Sequence, residues 1–362
     1  LGDVYKRQLI YVIFVAIGTI FCISRYSNYS YARISQCENQ SDALPALFIT
    51  IALIFFIGFR PISSAFVDTA NYDFFYKRIA ANINMYRVGG DVKNLLFDNL
   101  MILMATNKID VSYFFFIISA IYFGAMFVAL KRIFPNDITY ALFIYLGAFS
   151  TFSYATNGIK AGAAASLFLL VFANYKYPIR ALFICLISWG FHHSMYFPII
   201  AYWIVFFFRK PKYYFGVWIA CFILAAMHIT YFQNLFADSS ESAASYLLND
   251  VSTIGMKSGF RLDFILYAFI PIAVGYWVIY KKKCQDRLYE LLLCTYLLTN
   301  AIWMLTMYAA FNNRIAYLSW FMLPVVLAYP FLKFRLLKNQ YQYLNYCVFI
   351  YLVFEIYAYN YL

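Results

Sequence analysis

The sequence predicts an all-α, polytopic integral membrane protein with about twelve transmembrane helices. Two observations carry this prediction. The 362 residues are 64% hydrophobic and only 12% charged, which is about half the charged share of an ordinary soluble domain. The apolar residues also occur in long runs, and a hydrocarbon core about 30 Å thick needs roughly 20 apolar residues per helix. A water-soluble fold is therefore not expected.

Twelve apolar runs are the predicted spans, and helices are expected because irregular backbone in lipid would leave its polar groups without partners. The two runs that flank His192 fit a re-entrant hairpin nearly as well. The twelve runs, in order, are Leu9–Ser24, Leu44–Phe59, Tyr113–Leu130, Ile138–Tyr154, Ile159–Tyr175, Ile179–Gly190, Met195–Phe208, Tyr213–Phe232, Phe264–Tyr280, Leu288–Ala310, Ile315–Leu332 and Tyr343–Tyr361.

Short loops rich in Lys and Arg all fall on one side of this arrangement. Cytoplasmic loops carry an excess of these residues, so this side is predicted to be cytoplasmic. The formal net charge of +12 is then a topology signal, and a nucleic-acid partner is not expected. The five clusters are Lys131 with Arg132, Lys176 with Arg180, Arg209 with Lys210 and Lys212, Lys281 to Lys283 with Arg287, and Lys333 with Arg335 and Lys338.

The opposite, outer face receives two long loops, at about residues 60–111 and 233–263. Long loops on a membrane scaffold are frequent places for function. Within the first loop, Leu95–Met104 is apolar but too short to span, which favours an interfacial or re-entrant helix. Residues 9–362 are predicted to form a single transmembrane domain. Residues 1–8 read like a translated sequencing adaptor and are expected to be a remnant.

Several common chemical motifs are missing from the sequence. The seven cysteines form no CxxC pair, so packing is expected and neither a disulfide framework nor a zinc site is predicted. No two carboxylates lie two positions apart, and no Gly-rich phosphate loop occurs. Cytosolic nucleotide-sugar or ATP chemistry is therefore disfavoured, and we predict no metal and no cofactor.

The first group of unusual polar residues follows the second predicted span. Arg60, Asp68, Tyr72 and Asp73 occur where this span emerges at the outer face. An Arg at a span end can snorkel, and an Asp nearby can be a solvated loop charge. Ionisable residues beside a membrane are also the usual markers of a functional site.

Two further groups lie at predicted outer turns. Asn157 and Lys160 open a small-residue run, Ala161–Ser166, whose small side chains favour close helix contact. Trp189–Ser194 holds the tandem pair His192–His193, two of the three histidines in the chain. A membrane histidine often serves packing through a hydrogen bond, whereas a pair at a turn also fits proton transfer.

The last group places arginines at outer helix ends. Arg314 follows two asparagines and lies one helical turn before Tyr317, and Arg261 with Asp263 precedes another span. Basic residues are otherwise concentrated on the cytoplasmic side, so arginines on the outer face indicate a bound anion. The guanidinium fork matches phosphate oxygens.

These four groups, in this order, resemble the EpsG family of bacterial exopolysaccharide proteins, which is similar in character to the Wzy polymerases of O-antigen and capsule. The resemblance rests on the residues already named and covers most of the chain; Lys160 stands where the family more often has Arg. It implies catalytic roles for Asp68 and His192. It also implies substrate or pyrophosphate binding by Arg60, Tyr72, Asn157, Lys160, Ser194, Arg314 and Tyr317. Arg261, which lies in a comparable place before a span, is a further candidate for pyrophosphate binding.

The implied activity is polymerisation of polyprenyl-pyrophosphate-linked oligosaccharides at the outer face of the bacterial cytoplasmic (inner) membrane. The active site would face the periplasm or exterior, on a GT-C-like glycosyltransferase architecture. Expected partners are the lipid-linked oligosaccharides, membrane lipids, a flippase and a chain-length regulator. Another lipid-linked-sugar transferase or ligase, or a precursor transporter, stays open; a transporter would place ionisable groups near the bilayer midplane.

The charge pattern generates a topology prediction: the turns at Asp68, His192 and Arg314 all face the outside, because only then are the five basic clusters all cytoplasmic. The measurement is labelling of Ser194→Cys in intact cells with a membrane-impermeant thiol reagent. We expect it to label as strongly as cysteines at control outer positions. Full protection of residue 194, with labelling at those controls, would contradict this topology.

Overall fold

A computed structural model describes residues 2–27, 42–63, 67–229, 231, 259–309 and 312–361. Those residues form sixteen α-helices with short 3₁₀ and π turns, and they contain no strand. Each predicted span coincides with a helix or a pair of helices over the residues described. The prediction of an all-α chain is confirmed for this part of the protein.

Five helices are long and apolar enough to cross a membrane by length and composition. A sixth span results if two helices joined at a 76° bend, Ile138–Leu146 and Phe149–Thr156, count as one broken span. Six shorter apolar helices have 10–17 residues. The chain is therefore a helical membrane protein, and the count of twelve spans stays a prediction. The five long segments are Lys6–Ser27, Val111–Ile133, Leu262–Lys281, Arg287–Leu305 and Asn313–Lys333.

The helices divide into two compact units, residues 1–196 with 331–362 and residues 197–330. The sequence predicted a single transmembrane domain and shows no boundary at these positions. The helices of the first unit are α1 (Gly2–Ser27), α2 (Ala43–Gly58), α3 (Val67–Ala81), α4 (Leu95–Thr106), α5 (Val111–Ile133), α6 (Ile138–Leu146), α7 (Phe149–Thr156), α8 (Ile159–Ala173), α9 (Pro178–Phe191) and α16 (Gln340–Tyr361).

At the centre of the first unit, α8 packs against both α5 and α9. The small-residue run makes this possible, because Ala163, Ala164 and Ala165 are fully buried. The Ser188 hydroxyl of α9 donates to the Ala164 carbonyl oxygen at 2.8 Å. The predicted close-packing role of the run is confirmed. Its consequence is that the start of α8, which carries Lys160, is held against neighbouring helices.

The short helix α4 covers the apolar stretch that the sequence predicted to be helical but too short to span. It packs against α3, α5 and α9. Phe97 is fully buried, with its ring 5.3 Å from that of Phe114 in α5. An interfacial or re-entrant position of this helix stays a prediction, and its packing brings the start of α4 beside the end of α9.

The second unit contains α10 (Tyr196–Phe207), α11 (Pro211–Ala226), α12 (Leu262–Tyr276), α13 (Arg287–Leu305), α14 (Asn312–Trp320) and α15 (Leu323–Lys333), the last of which runs past the unit boundary. A buried polar chain links three of them. The Trp218 indole donates to Asn300 Oδ1 at 2.9 Å, and Asn300 Nδ2 donates to Ser319 Oγ at 3.0 Å. Side-chain hydrogen bonds of this kind hold helices together in lipid.

The ends of the helices follow the charge pattern of the sequence. Asp110 and Asp286 cap α5 and α13, each accepting a backbone N–H bond at 2.8 Å. Basic residues occupy the last turns of α1, α5 and α15, where they complement the helix dipole. The helix α1 runs through residues 2–8, which the sequence predicted to be a remnant, and Arg7 donates to the Phe56 carbonyl oxygen at 2.6 Å.

The close approach of α7 and α8 generates a stability prediction at Gly162. A Cβ atom at this position would lie 2.6 Å from the Tyr154 backbone oxygen, and such overpacking typically costs about 1–3 kcal/mol. We expect Gly162→Ala to lower the melting temperature of the purified protein. The matched control is Gly124→Ala in α5, where a Cβ meets nothing within 4 Å. Equal melting temperatures for the two variants would contradict the close approach.

Candidate functional site

The polar groups singled out in the sequence divide between the two units. The first unit holds three of the groups: Arg60, Asp68 and Tyr72; Asn157 and Lys160; and His192 with Ser194. The second unit holds Arg261, Arg314 and Tyr317.

Arg60 lies in the chain just after α2 and is only 5% exposed. Its Nε donates to Thr69 Oγ1 at 3.0 Å, its Nη1 to the Ile57 carbonyl oxygen at 3.1 Å and its Nη2 to the Thr156 carbonyl oxygen at 3.2 Å. The guanidinium also lies 4.6 Å from the centre of the Phe115 ring. Burial lowers the pKa of Arg60 to about 9, so the side chain is still a cation at neutral pH.

The Arg60 contacts join the first two groups of the sequence. Thr69 in α3 donates from its own hydroxyl to the same Thr156 carbonyl oxygen, at 3.1 Å. Asp68 directly precedes Thr69, and Asn157 directly follows Thr156, so the start of α3 and the end of α7 lie together. The Asn157 Oδ1 atom is buried there and accepts no hydrogen bond from the described residues.

The helix α3 carries Asp68 in its first turn and Tyr72 and Asp73 on the following one. Tyr72 packs its ring 5.5 Å from that of Phe97 in α4, and it lies close enough to Arg60 to act on the Arg60 pKa. Asp73 is 9% exposed; its Oδ2 accepts from Lys77 Nζ at 2.8 Å. The buried Asp73 Oδ1 has no hydrogen-bond partner among the described residues.

The turn between α9 and α10 carries the histidine pair. The two rings are stacked, with centroids 5.0 Å apart and planes at 24°. His192 Nδ1 accepts a hydrogen bond from the Ser194 backbone N–H at 3.3 Å and lies 2.5 Å from Ser194 Oγ. Ser194 therefore fixes the orientation of the His192 ring.

His193 is held by a residue that the sequence did not single out. The Asn94 Oδ1 atom lies 3.2 Å from the His193 backbone nitrogen and 3.2 Å from His193 Nδ1. Asn94 is 2% exposed, and its backbone N–H donates to Asp98 Oδ2 at 2.9 Å. The contact between Asn94 and Asp98 is local and could be predicted from their spacing at a helix start. The contact between Asn94 and His193 spans 99 positions, and the sequence gives no sign of it.

Two lysines place positive charge around His193. Burial is the largest cause that lowers the pKa of His193 to about 4, and Lys93 and Lys160 lower it further. Lys160 is the second residue of α8, so the second and third groups of the sequence meet at this turn. Lys93 is a further cation that sequence reasoning missed, because it lies in an ordinary polar loop.

In the second unit, Arg261 is already paired. Its Nε and Nη2 atoms donate to the two oxygens of Asp263 at 2.9 and 2.6 Å, and its guanidinium lies 3.9 Å from the Phe264 ring centre. Arg314 is exposed in the first turns of α14. Tyr317, on the following turn, is buried with its ring 5.7 Å from that of Trp320. Most of the predicted outer loop 233–263 lies outside the described residues.

The first unit thus holds carboxylates, a pair of imidazoles and lysines at helix ends. Asp68 begins α3, Lys160 begins α8, and His192 ends α9. Such a set can bind an anion and exchange a proton. Among the described residues, no three His, Cys, Asp or Glu side chains gather as a metal-ligand group.

The burial of Arg60 generates a prediction about its role. Arg60→Lys keeps a charge but loses the planar fork that reaches three acceptors, and each hydrogen bond to a charged group typically contributes about 1.5–3 kcal/mol. We expect a clear fall in melting temperature. Arg314→Lys, at an exposed position, is the control and should leave the melting temperature within error. Equal stability of the two variants would contradict a bracing role for Arg60.

The comparison with protein families supports the resemblance seen in the sequence. The model of the EpsG family matches residues 44–362, which include every polar group described above. No curated protein and no solved structure matches the chain. Because the match covers most of the chain, this protein belongs to the EpsG family.

Proposed function

We propose that this protein polymerises polyprenyl-pyrophosphate-linked oligosaccharide repeat units of a bacterial exopolysaccharide, capsule or O-antigen. Glycosidic bonds would form at the outer face of the cytoplasmic membrane, on a protein with about twelve spans and a GT-C-like architecture. The observation that carries the proposal is the assembly of three separate polar groups in the first unit of an EpsG-family chain. A flippase and a chain-length regulator are the proposed protein partners.

The proposed reaction needs a base and fixed cations. A hydroxyl oxygen of the acceptor forms a bond to the anomeric carbon of the donor, and the bond from that carbon to the pyrophosphate oxygen breaks. The hydroxyl proton goes to a base, and the electron pair of the broken bond leaves with the pyrophosphate. Asp68 and His192 are our candidates for proton removal or hydroxyl orientation. The pyrophosphate bond already activates the donor, so no nucleotide is needed.

Four cations are proposed to bind pyrophosphate: Arg60 and Lys160 in the first unit, and Arg261 and Arg314 in the second unit. Arg60 and Arg261 donate to protein acceptors, so binding pyrophosphate would require each of them to exchange a partner. Tyr72, Asn157, Ser194 and Tyr317 are proposed to position sugar or phosphate groups, and the buried Asn157 Oδ1 is an acceptor still to be satisfied.

The position of the polar groups along the helices differs from the one expected of a transporter. A transporter of lipid-linked sugars is expected to carry ionisable groups midway along broken helices. Asp68, Lys160 and His192 instead lie at helix ends. A different lipid-linked-sugar transferase or ligase would also be expected to carry polar groups at helix ends. It would differ from a polymerase in the molecule that accepts the transferred sugar.

The proposal predicts that Asp68→Asn and His192→Ala sharply reduce long polymer in cells. Loss of a general base commonly costs about 10² to 10⁴ in rate, and neither residue is fully buried. The measurement is glycan length by gel, with protein abundance and outer-leaflet single repeats from the same membranes. Asp91→Asn and His228→Ala are the matched controls. Normal ladders in both test variants would refute these roles, and loss of exported single repeats would favour transport.

A second prediction concerns Arg314. If it binds pyrophosphate through its fork, Arg314→Lys should lower polymer output nearly as much as Arg314→Ala, because an ammonium keeps the charge but not the bidentate geometry. The measurement is polymer yield per amount of inserted protein. Full output from the Lys variant would contradict pyrophosphate binding by Arg314.

A further inference from the structure

The contacts of His193 determine which of its ring nitrogens carries the proton. The His193 backbone N–H can only donate, so the Asn94 atom facing it is the amide oxygen; the Asn94 amide nitrogen then faces Asp98 Oδ2 at 3.4 Å. The same amide oxygen lies 3.2 Å from His193 Nδ1. An oxygen cannot donate, so Nδ1 bears the hydrogen in this contact. In the neutral ring, the lone pair is therefore on Nε2.

His192 has the opposite arrangement. Its Nδ1 faces the Ser194 backbone N–H, a fixed donor, and also the Ser194 hydroxyl. Nδ1 is therefore the acceptor, and in the neutral ring the hydrogen is on Nε2. To take up a proton, His192 would have to use the nitrogen that Ser194 occupies. Of the two stacked rings, His192 can therefore donate a hydrogen bond from Nε2, and His193 can accept a proton at Nε2.

We propose that His193 Nε2 accepts the proton of the acceptor hydroxyl, and that Asn94 is a positioning residue that holds His193 in the required tautomer. This inference rests on the proposed polymerase function and assigns proton removal to His193, which leaves the other proposed role, hydroxyl orientation, to Asp68 and His192. His192 then serves to donate a hydrogen bond from Nε2, which orients the acceptor sugar or the departing oxygen.

The proton and electrons balance in this step. The hydroxyl O–H bond breaks and its hydrogen forms a bond to His193 Nε2, which gives an imidazolium. The freed oxygen electron pair forms the new glycosidic bond, while the pair of the old carbon–oxygen bond leaves on the pyrophosphate. The imidazolium releases its proton to water before the next addition.

The surrounding charges suit a base that strengthens when the donor binds. Lys93, Lys160, Asp98 and the His192 ring are the titratable groups about His193, and the two lysines help to keep the free imidazole neutral. A bound pyrophosphate beside Lys160 offsets this positive charge. The pKa of His193 then rises above its value in the free protein, although burial still lowers it, and a higher pKa makes the imidazole a stronger base.

Nitrogen NMR tests the tautomers directly. The chain has three histidines, so protein labelled with ¹⁵N-histidine in lipid gives few signals, and single His variants assign them. We expect His193 as the Nδ1–H tautomer and His192 as the Nε2–H tautomer. Asn94→Leu should remove the preference at His193 only. An Nε2–H tautomer at His193 in the wild type would overturn the proposal.

A pH profile tests the role in the reaction. The substrate is the lipid-linked repeat extracted from host cells that lack this polymerase, and the enzyme is the full chain in lipid nanodiscs. In Asn94→Asp combined with Asp98→Asn, a carboxylate faces His193 Nδ1 and stabilises the imidazolium, which raises the pKa of His193. The acid limb of the rate profile should therefore move to higher pH. An unmoved limb would contradict a proton-accepting His193.

The variant His193→Gln distinguishes failure of the base assignment from failure of the proposed polymerase function. Glutamine keeps polar contacts but accepts no proton, so the rate should fall by about 10² to 10⁴, while His228→Gln behaves as wild type. Normal polymer from His193→Gln, with active wild type, would overturn the base assignment alone. Absence of any polymer from the wild type would overturn the polymerase proposal and the base assignment with it.

Discussion

The buried guanidinium of Arg60 is the interaction on which the arrangement of the first unit depends. A charge removed from water is costly unless hydrogen bonds compensate it, and three acceptors surround this one: Thr69 Oγ1 and the carbonyl oxygens of Ile57 and Thr156. These acceptors belong to the end of α2, the start of α3 and the end of α7. The cation therefore fixes three helix ends at one place.

The polar groups proposed to act on substrate are positioned by this constraint and by close helix packing. Asp68 and Asn157 are the chain neighbours of Thr69 and Thr156, while α8 presents Lys160 because its small residues let it pack against α5 and α9. The Asn94 contact then ties the turn at His193 to the start of α4. Electrostatic preorganisation of this kind is the main way in which enzymes stabilise developing charge.

Hydrophobic patterning was sufficient to predict the helices, because lipid leaves the backbone little alternative. It located the short helix at Leu95–Thr106 and the packing role of Ala161–Ser166. It did not foresee the 76° break within residues 138–156, which divides a continuous apolar run. The pattern of apolar residues cannot predict such a bend, because the residues on both sides of it are buried and the apolar run therefore continues through it.

The site was predictable only in part, for a physical reason. Residues of unusual polarity at span ends stand out against an apolar chain, so the sequence singles out Arg60, Lys160 and His192 as candidates. Asn94, Asp98 and Lys93 lie in a polar loop and helix start, where such residues are ordinary. Asn94 contacts His193, Asp98 bonds to Asn94, and Lys93 lowers the pKa of His193. The sequence shows neither of the two long-range relations to His193.

The proposed function requires the protein to join lipid-linked repeats and to release the lipid pyrophosphate. The most direct measurement uses wild-type protein in liposomes with the extracted polyprenyl-pyrophosphate-linked repeat and without nucleotide, counting released polyprenyl pyrophosphate and new glycosidic bonds. We predict one lipid pyrophosphate released for each bond formed, with a growing glycan ladder. Movement of the repeat across the bilayer with neither bond formation nor lipid release would contradict a polymerase and indicate a transporter.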